Sequence, residues 1–272
     1  MDTVVVDSGS TDDTVEIARS YNARIVNILP GDFDYSKALN LGIEQTGADV
    51  VVSLSAHAIP VNGEWLERMT NPFEDPHVAG VSSRQVPWPH APWQEVHRLG
   101  HQFGETGCTY SDENREKIVF SNAASAIRRS VWRDLPFKLS AAEDLEWAQR
   151  TVAAGWLIVY EPRAAVFHSH HESARAQALR MIDINRVLDA DPTRRTRRRT
   201  VREAVGMFVR DSRKILGLDE PAWRKLAHVV DLFRMVCYYV LDFSRSGTTA
   251  ERRRFGVHRS SRGIPNEPRA KP

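Results

Sequence analysis

Five short segments of this 272-residue sequence bring together side chains able to hold a nucleotide, a cation or a proton. The first is Val6-Asp7-Ser8-Gly9-Ser10, where an apolar run ends in a carboxylate that can accept hydrogen bonds from a base or ribose. Gly9 permits a tight turn there. Helix capping by Ser10 with Asp13 accounts for those two residues and leaves Asp7 unexplained. The second is Lys37 with Asn40, at i and i+3 on one helix face, where a lysine reaches a phosphate or simply meets solvent. Third, Ser55 and His57 follow a Val-rich run. An imidazole at that exit ligates a divalent ion, contacts a diphosphate, or only ends a strand. Fourth, Ser140 and Glu143 have the spacing of a capping box, which accounts for Glu143 structurally. Asp144 is not needed for capping and is the better general-base candidate. Last, His168-Ser169-His170-His171 closes an apolar run. Alternation along a strand turns His168 and His170 to one face, and two imidazoles there suit a metal or an anionic diphosphate.

The elements around these segments read as an α/β fold. Strands are expected at residues 3–6, 24–28, 49–54, 77–82, 118–121, 157–160 and 164–168. Helices are expected at 12–21, 36–46, 63–70, 130–134 and 142–154. Continuous apolar strands separated by helices predict a mostly parallel sheet covered on both faces. Ligands of such sheets bind at the carboxyl ends of the strands, where the five segments sit. Residues 83–117, with Pro87, Pro89 and Pro92 among tryptophans, read as an irregular excursion. The sequence has no Gly-x-Gly-x-x-Gly, Walker A, His-Glu-x-x-His or Gly-x-Ser-x-Gly pattern. That argues against dinucleotide oxidoreduction, P-loop phosphoryl transfer and serine hydrolysis.

Hydrophobic residues make up 42% and charged residues 26%, a globular composition. Two cysteines are too few for a disulfide framework, which fits a reducing compartment such as the cytoplasm. No apolar run reaches the length of an ordinary membrane span. Charge divides the chain: residues 1–171 carry 14 Lys/Arg against 23 Asp/Glu, and residues 172–272 carry 23 against 12. The acidic part ends near residue 173; residues 174–243 form a helical, basic extension, and residues 244–272 read as a disordered tail.

In order, these segments resemble family 2 glycosyltransferases of the GT-A fold, in particular the rhamnosyltransferase-like branch. The resemblance rests on Val-Val-Asp-Ser-Gly-Ser-Thr-Asp from Val5 to Asp12, Lys37-Ala38-Leu39-Asn40, and residues 53–60. It continues through Phe120-Ser121-Asn122-Ala123, Ala142-Glu143-Asp144-Leu145-Glu146-Trp147, and Tyr160-Glu161-Pro162 leading to His168. It implies inverting transfer of a sugar, such as rhamnose, from a nucleotide-diphosphate donor to a cell-envelope glycan or lipid-linked acceptor. The alternative is a non-catalytic descendant that binds a nucleotide sugar or scaffolds glycan assembly. The resemblance implies Asp144 as the base, and Asp7, Ser8, Lys37, Asn40, Ser55, Asn122 and Glu143 as nucleotide or donor contacts. It implies a divalent cation, Mn²⁺ or Mg²⁺, to which His57, His168 and His170 are the candidate ligands.

Two departures from the family pattern stand out. Where the family carries an Asp-x-Asp motif after the third strand, this chain has Ser55 and His57. An imidazole suits Mn²⁺ better than the oxygen-seeking Mg²⁺. The family also begins with an earlier strand–helix unit, so the chain is expected to be an amino-terminally shortened form with one flank of the first strand unpaired. For the extension, six arginines within residues 193–203 point to an anionic membrane face, placing the protein in the cytoplasm and peripheral on the inner membrane. A solvated helix packed on the catalytic domain is the plain alternative. Nucleic acid is not expected as a partner, because no aromatic stacking platform accompanies the arginines.

Overall fold

A computed structural model describes residues 2–89, 91–170, 172–188 and 197–245. Met1, His90, His171, residues 189–196 with Arg194 and Arg195 of the arginine run, and residues 246–272 lie outside the described residues.

The chain begins with β1 (Val4–Asp7), α1 (Thr14–Ser20) and β2 (Arg24–Asn27). The two strands pair in parallel, Val4 opposite Arg24 and Asp7 opposite Asn27. After a 3-10 turn at Pro30–Asp32 come α2 (Tyr35–Glu44), β3 (Val50–Leu54), the two-residue β4 (Ile59–Pro60), and α3 (Trp65–Thr70). Next are β5 (Val78–Val86), α4 (Trp93–Gln102), β6 (Cys108–Tyr110), β7 (Ala124–Arg128), α5 (Arg129–Asp134), α6 (Glu143–Ala153) and β8 (Leu157–Phe167). Three helices close the described chain: α7 (Ala174–Leu188), α8 (Arg197–Leu216) and α9 (Ala222–Arg245).

The larger sheet has the order β3-β7-β5-β8-β4, with β6 also on β8. β5 and β8 are parallel, and β7 lies antiparallel between β3 and β5, so β3, β5 and β8 all point the same way. The short β4 and β6 run antiparallel to β8. Among the described residues β1 pairs only with β2 and β3 only with β7, so each has an unpaired edge.

The alternation of a strand assigns its residues to two cores. Val51, Ile127 and Ile158 turn to a cluster with Leu99, Phe103, Trp132 and Trp147, which Ala79 joins at a register shift in β5. Val52, Val81, Ala126 and Val159 turn to the other, with Trp65, Met69 and Val166. Both faces being covered is why apolar residues occupy successive strand positions, as at Val50-Val51-Val52. Gly80 is required by this packing: a β-carbon there would lie 2.8 Å from Ile158 Cδ1 and 3.1 Å from Trp147.

Several expected elements differ. Residues 118–121 form no strand; the strand is Ala124–Arg128, and Ile118 and Phe120 are instead packed into the first core. The excursion at 83–117 holds the end of β5, α4, β6 and a 3-10 turn at Asp112–Lys117. The sequence hides α4 because Pro92 stands immediately before it as N-cap. The two strands expected at 157–168 are one, with the register jumping from Ser83–Glu161 to Arg84–Ala165. Pro162, without an N–H to give the ladder, sits in that bulge.

A third core joins the helical extension to the sheet domain. Trp93 of α4 is buried with Ala178 and Ile182 of α7, Ile215 of α8, and Leu232 and Tyr239 of α9.

Candidate active site

The strand directions gather the site. β3, β5 and β8 present their carboxyl ends on one side, and β7, running the other way, begins there. Ser55 and His57 leave β3, Gln85 is the penultimate residue of β5, His168 and His170 leave β8, and Asn122 stands two residues before β7. The backbone N–H of Ser55 donates to Ala123 O at 2.9 Å, and that of His168 to Val86 O at 2.9 Å, which fixes these exits to one another.

His57, His168 and His170 form a cluster although 111 residues separate the first two. The ring centroids of His57 and His168 are 4.6 Å apart and stacked; His57–His170 is 5.0 Å and His168–His170 is 4.9 Å. One ligating atom from each lies within 4.8 Å of the others. The Oε1 of Gln85 is 2.8 Å from His168 Nδ1, which makes that nitrogen the protonated one and leaves Nε2 with a free lone pair. The Ser55 hydroxyl is 3.0 Å from His57 Nδ1. Burial lowers His168 to about 3, helped by the charges of His57 and His170, and lowers His170 to about 4, helped by Arg180. These two imidazoles are therefore neutral and available as ligands well below the ordinary histidine range. Three imidazoles converging within ligand distance fit a borderline divalent cation better than Mg²⁺.

Behind the histidines lies an ion cluster that the sequence reading missed. Glu95 of α4 is buried and pairs with Arg98 at 2.9 Å and Arg180 at 3.3 Å; Arg180 also meets Glu172 at 3.1 Å. Burial pushes the Glu95 carboxyl upward, but Arg98 and Arg180 outweigh it and hold the group below its ordinary range. Arg180 comes from α7, so the helical extension reaches the site.

The acidic pair stands at the start of α6. Asn122 bridges it: its backbone N–H donates to Asp144 Oδ2 at 3.3 Å, and its amide Nδ2 donates to Glu143 Oε1 at 3.3 Å. The remaining Asn122 oxygen accepts from the Ser125 hydroxyl at 2.9 Å. Asp144 also accepts from the Leu145 N–H at 2.8 Å. Glu143 is 6% exposed, while Asp144 is half-buried and nearer to solvent. Burial raises Glu143 to about 7, with the neighbouring Asp144 charge adding to it, and burial also raises Asp144. Two carboxyl groups that share a site this dry cannot both ionise freely near neutrality.

The expected capping box is absent. The N-cap is Ala142, held at φ 53° in the left-handed region, and no side chain caps the helix. Ser140 and Glu143 are not engaged as cap partners, because the preceding loop is drawn towards α2, where the Ser36 hydroxyl donates to Leu139 O. The burial of Glu143 thus has no capping explanation.

The remaining candidates divide. Asp7 is buried and folds back on its own turn, accepting from the N–H groups of Gly9 at 3.0 Å and Ser10 at 3.1 Å and from the Ser10 hydroxyl. The Ser10 hydroxyl is the largest cause holding Asp7 below the usual carboxylate range. Ser10 therefore serves Asp7 and does not cap α1, whose N-cap Asp13 makes no side-chain cap bond. Gly9 has φ 94°, and a β-carbon there would lie 2.8 Å from Pro30 Cγ, so the turn needs glycine. Ser8, half-buried, and Lys37, exposed, make no side-chain contact with the histidines or the acidic pair in the described structure. Asn40 is spent on structure. Its Nδ2 donates to Phe137 O at 2.9 Å, and its Oδ1 accepts from Trp132 Nε1 at 2.8 Å and Phe137 N at 3.2 Å. Tyr35, at the start of α2, lies within electrostatic reach of Glu143, Glu172 and Arg180, which the sequence reading did not single out.

Known proteins resemble this chain in sequence and fold. Residues 1–135 match the family described as Glycosyl transferase family 2. The chain is 33% identical over 190 residues to the O-antigen chain rhamnosyltransferase RfbN of Salmonella typhimurium, covering 66% of this chain and 60% of that one. It is 34% identical over 189 residues to the O-antigen chain rhamnosyltransferase WbaN of Salmonella anatum, with the same coverage. The match thus spans about three-fifths of these relatives' length. Among solved structures, S. aureus TarS 1-349 superposes with a TM-score of 0.50 at 18% identity, covering 92% of this chain and 67% of that one. That likeness concerns the fold, an α/β sheet flanked by helices of the GT-A kind.

Proposed function

The chain is a member of glycosyl transferase family 2, matched over its residues 1–135, and on that premise we propose that it transfers a sugar, rhamnose, from a nucleotide-diphosphate donor to a cell-envelope glycan or lipid-linked acceptor with inversion. The observation that carries this reading is the convergence of the three histidines and the Asn122-bridged acidic pair at one end of the sheet. The chain would work at the cytoplasmic, inner face of the membrane bearing such an acceptor. No helix among the described residues is long and apolar enough to cross a membrane.

Asp144 acts as the general base. As a residue it is half-buried where Glu143 is 6% exposed, and the acceptor hydroxyl must arrive from solvent. Burial raises its proton affinity, which suits a group that takes a proton as the acceptor oxygen attacks. Glu143, sealed beneath and raised to about 7, shares the proton load and keeps the pair from carrying two full charges. Asn122 positions both. His57, His168 and His170 would hold a divalent ion, Mn²⁺ in preference to Mg²⁺, whose charge would stabilise a leaving diphosphate. Gln85 sets the ring of His168, while Ser55 contacts His57. The turn carrying Asp7 and Ser8, with Lys37 above it, takes the nucleotide end of the donor. Asp7 offers a turn of fixed shape, since its carboxylate is occupied by that turn.

Transfer from a panel of nucleotide sugars, with Asp144→Asn alongside, tests the reading. Asp144→Asn should lower the transfer rate by roughly 10²–10⁴-fold with donor binding retained. Absence of transfer with every donor that binds would favour a non-catalytic nucleotide-sugar-binding descendant. Loss of transfer in Glu143→Gln with Asp144→Asn intact would reverse the two roles.

A further inference from the structure

α9 is apolar on two opposite sides. One side, with Leu232, Met235 and Tyr239, is buried against α7 and α8. The other carries Trp223, Leu226, Val230, Phe233 and Leu241, spaced at three, four, three and eight residues, which is one continuous stripe on a helix. These residues are left in solvent: Trp223 is 67% exposed, Leu226 65%, Phe233 56% and Leu241 51%. The stripe continues onto α8, where Val205 is 54% exposed and Phe208 meets the Phe233 ring edge-on at 5.9 Å. From Trp223 to Leu241 it runs about 27 Å at the rise of an α-helix. A solvated helix carries polar residues on its outer side, so this stripe is the side of α9 that lacks a partner among the described residues.

The rim decides the occupant. Residues 197–245 hold eleven Lys/Arg against six Asp/Glu. Arg202, Arg210 and Arg213 are exposed on α8, Arg234 is exposed on α9, and the guanidinium of Arg224 lies 5.3 Å from the Trp223 ring centre. A second copy of the chain would bring two such cationic rims together. An anionic bilayer surface matches both features, taking the apolar stripe into its headgroup boundary and the cations at its phosphates.

We propose that the exposed face of α8 and α9, centred on Leu226 and Phe233, docks this protein on an anionic membrane surface with α9 lying in the plane of the interface. This names the contact surface for the peripheral placement given above and rests on that placement. It does not depend on which sugar is transferred, or on transfer at all.

The test is co-sedimentation of the full chain with phosphatidylglycerol-containing vesicles and with pure phosphatidylcholine vesicles, at low and high salt. Transfer to a water-soluble acceptor is measured in parallel. The full chain should bind the anionic vesicles, with salt weakening the binding. The double variant Leu226→Glu with Phe233→Glu should reduce binding at least roughly tenfold, with circular dichroism and soluble-acceptor transfer unchanged. Tyr21→Glu, at an exposed aromatic on the sheet domain, should bind like the parent. Equal binding by parent and double variant would overturn the proposal, as would failure of the full chain to bind anionic vesicles. A concentration-dependent dimer, dissolved by the double variant in the absence of vesicle binding, would assign the face to a second copy instead. Loss of transfer with vesicle binding intact would count against the enzymatic reading and leave this surface standing.

Discussion

Replacing Glu143 with glutamine should stabilise the protein in mild alkali, an unusual outcome for a buried charged residue. Glu143 is 6% exposed, and burial, with Asp144 beside it, raises its carboxyl from 4.5 to about 7. In the unfolded chain the group loses its proton near its ordinary value, while in the folded chain it keeps it. As pH rises from 4.5 to about 7 the folded state holds the extra proton, so folding stability falls, and above about 7 the loss is complete. A shift of that size corresponds to about 3 kcal/mol. Glutamine has nothing to ionise, and its side-chain oxygen can still accept from Asn122, which donates to Glu143 Oε1 at 3.3 Å. No capping bond is lost, since α6 has none from a side chain. The assay is urea unfolding of parent and Glu143→Gln at about pH 5 and about pH 8. The two should nearly coincide at the lower value, and the variant should lead by about 2–3 kcal/mol at the higher one. Contributions from the histidines are common to both proteins and cancel in the difference. A variant less stable than the parent at pH 8, or one whose profile runs parallel to it, would refute the reasoning.

Two further outcomes follow from the same geometry. With His168 lowered to about 3 and His170 to about 4, neither imidazole should titrate between about pH 5 and pH 8 in metal-free protein observed by NMR; a midpoint near the ordinary histidine value for either would show the cluster to be open to water. Asn40→Ala leaves Trp132 Nε1 and Phe137 N without their acceptor and should cost roughly 2–4 kcal/mol by chemical unfolding, with donor affinity unchanged in the folded fraction; weakened donor binding at full stability would return Asn40 to the donor site.

Local pattern was enough to read much of this molecule. Runs such as Val50-Val51-Val52 are apolar at successive positions because both faces of the sheet are covered, and that requirement is visible residue by residue. His168 and His170 stand two residues apart just past the end of β8, and their spacing alone singled them out as a pair. The family resemblance was also carried by short ordered segments, and the match over residues 1–135 agrees with it. Local pattern misled where a residue had two partners to choose from. Ser10 has a capping spacing with Asp13 and instead donates to Asp7, and Asn40 resembles a ligand contact and instead ties α2 to the segment at Trp132 and Phe137.

Only the tertiary structure decided the chemistry of the site. His57 joins His168 across 111 residues because β3 and β8 point the same way in one sheet, and no local spacing records that direction. The antiparallel insertion of β7 brings Asn122 to the same end, where it reaches both Glu143 and Asp144. The acidity of Glu143 and the neutrality of His168 come from burial, a property of everything packed around a group. Sequence fixes which groups can ionise; the desolvation and neighbouring charges that set when they do so arise from residues far apart in the chain, and exist only once it has folded.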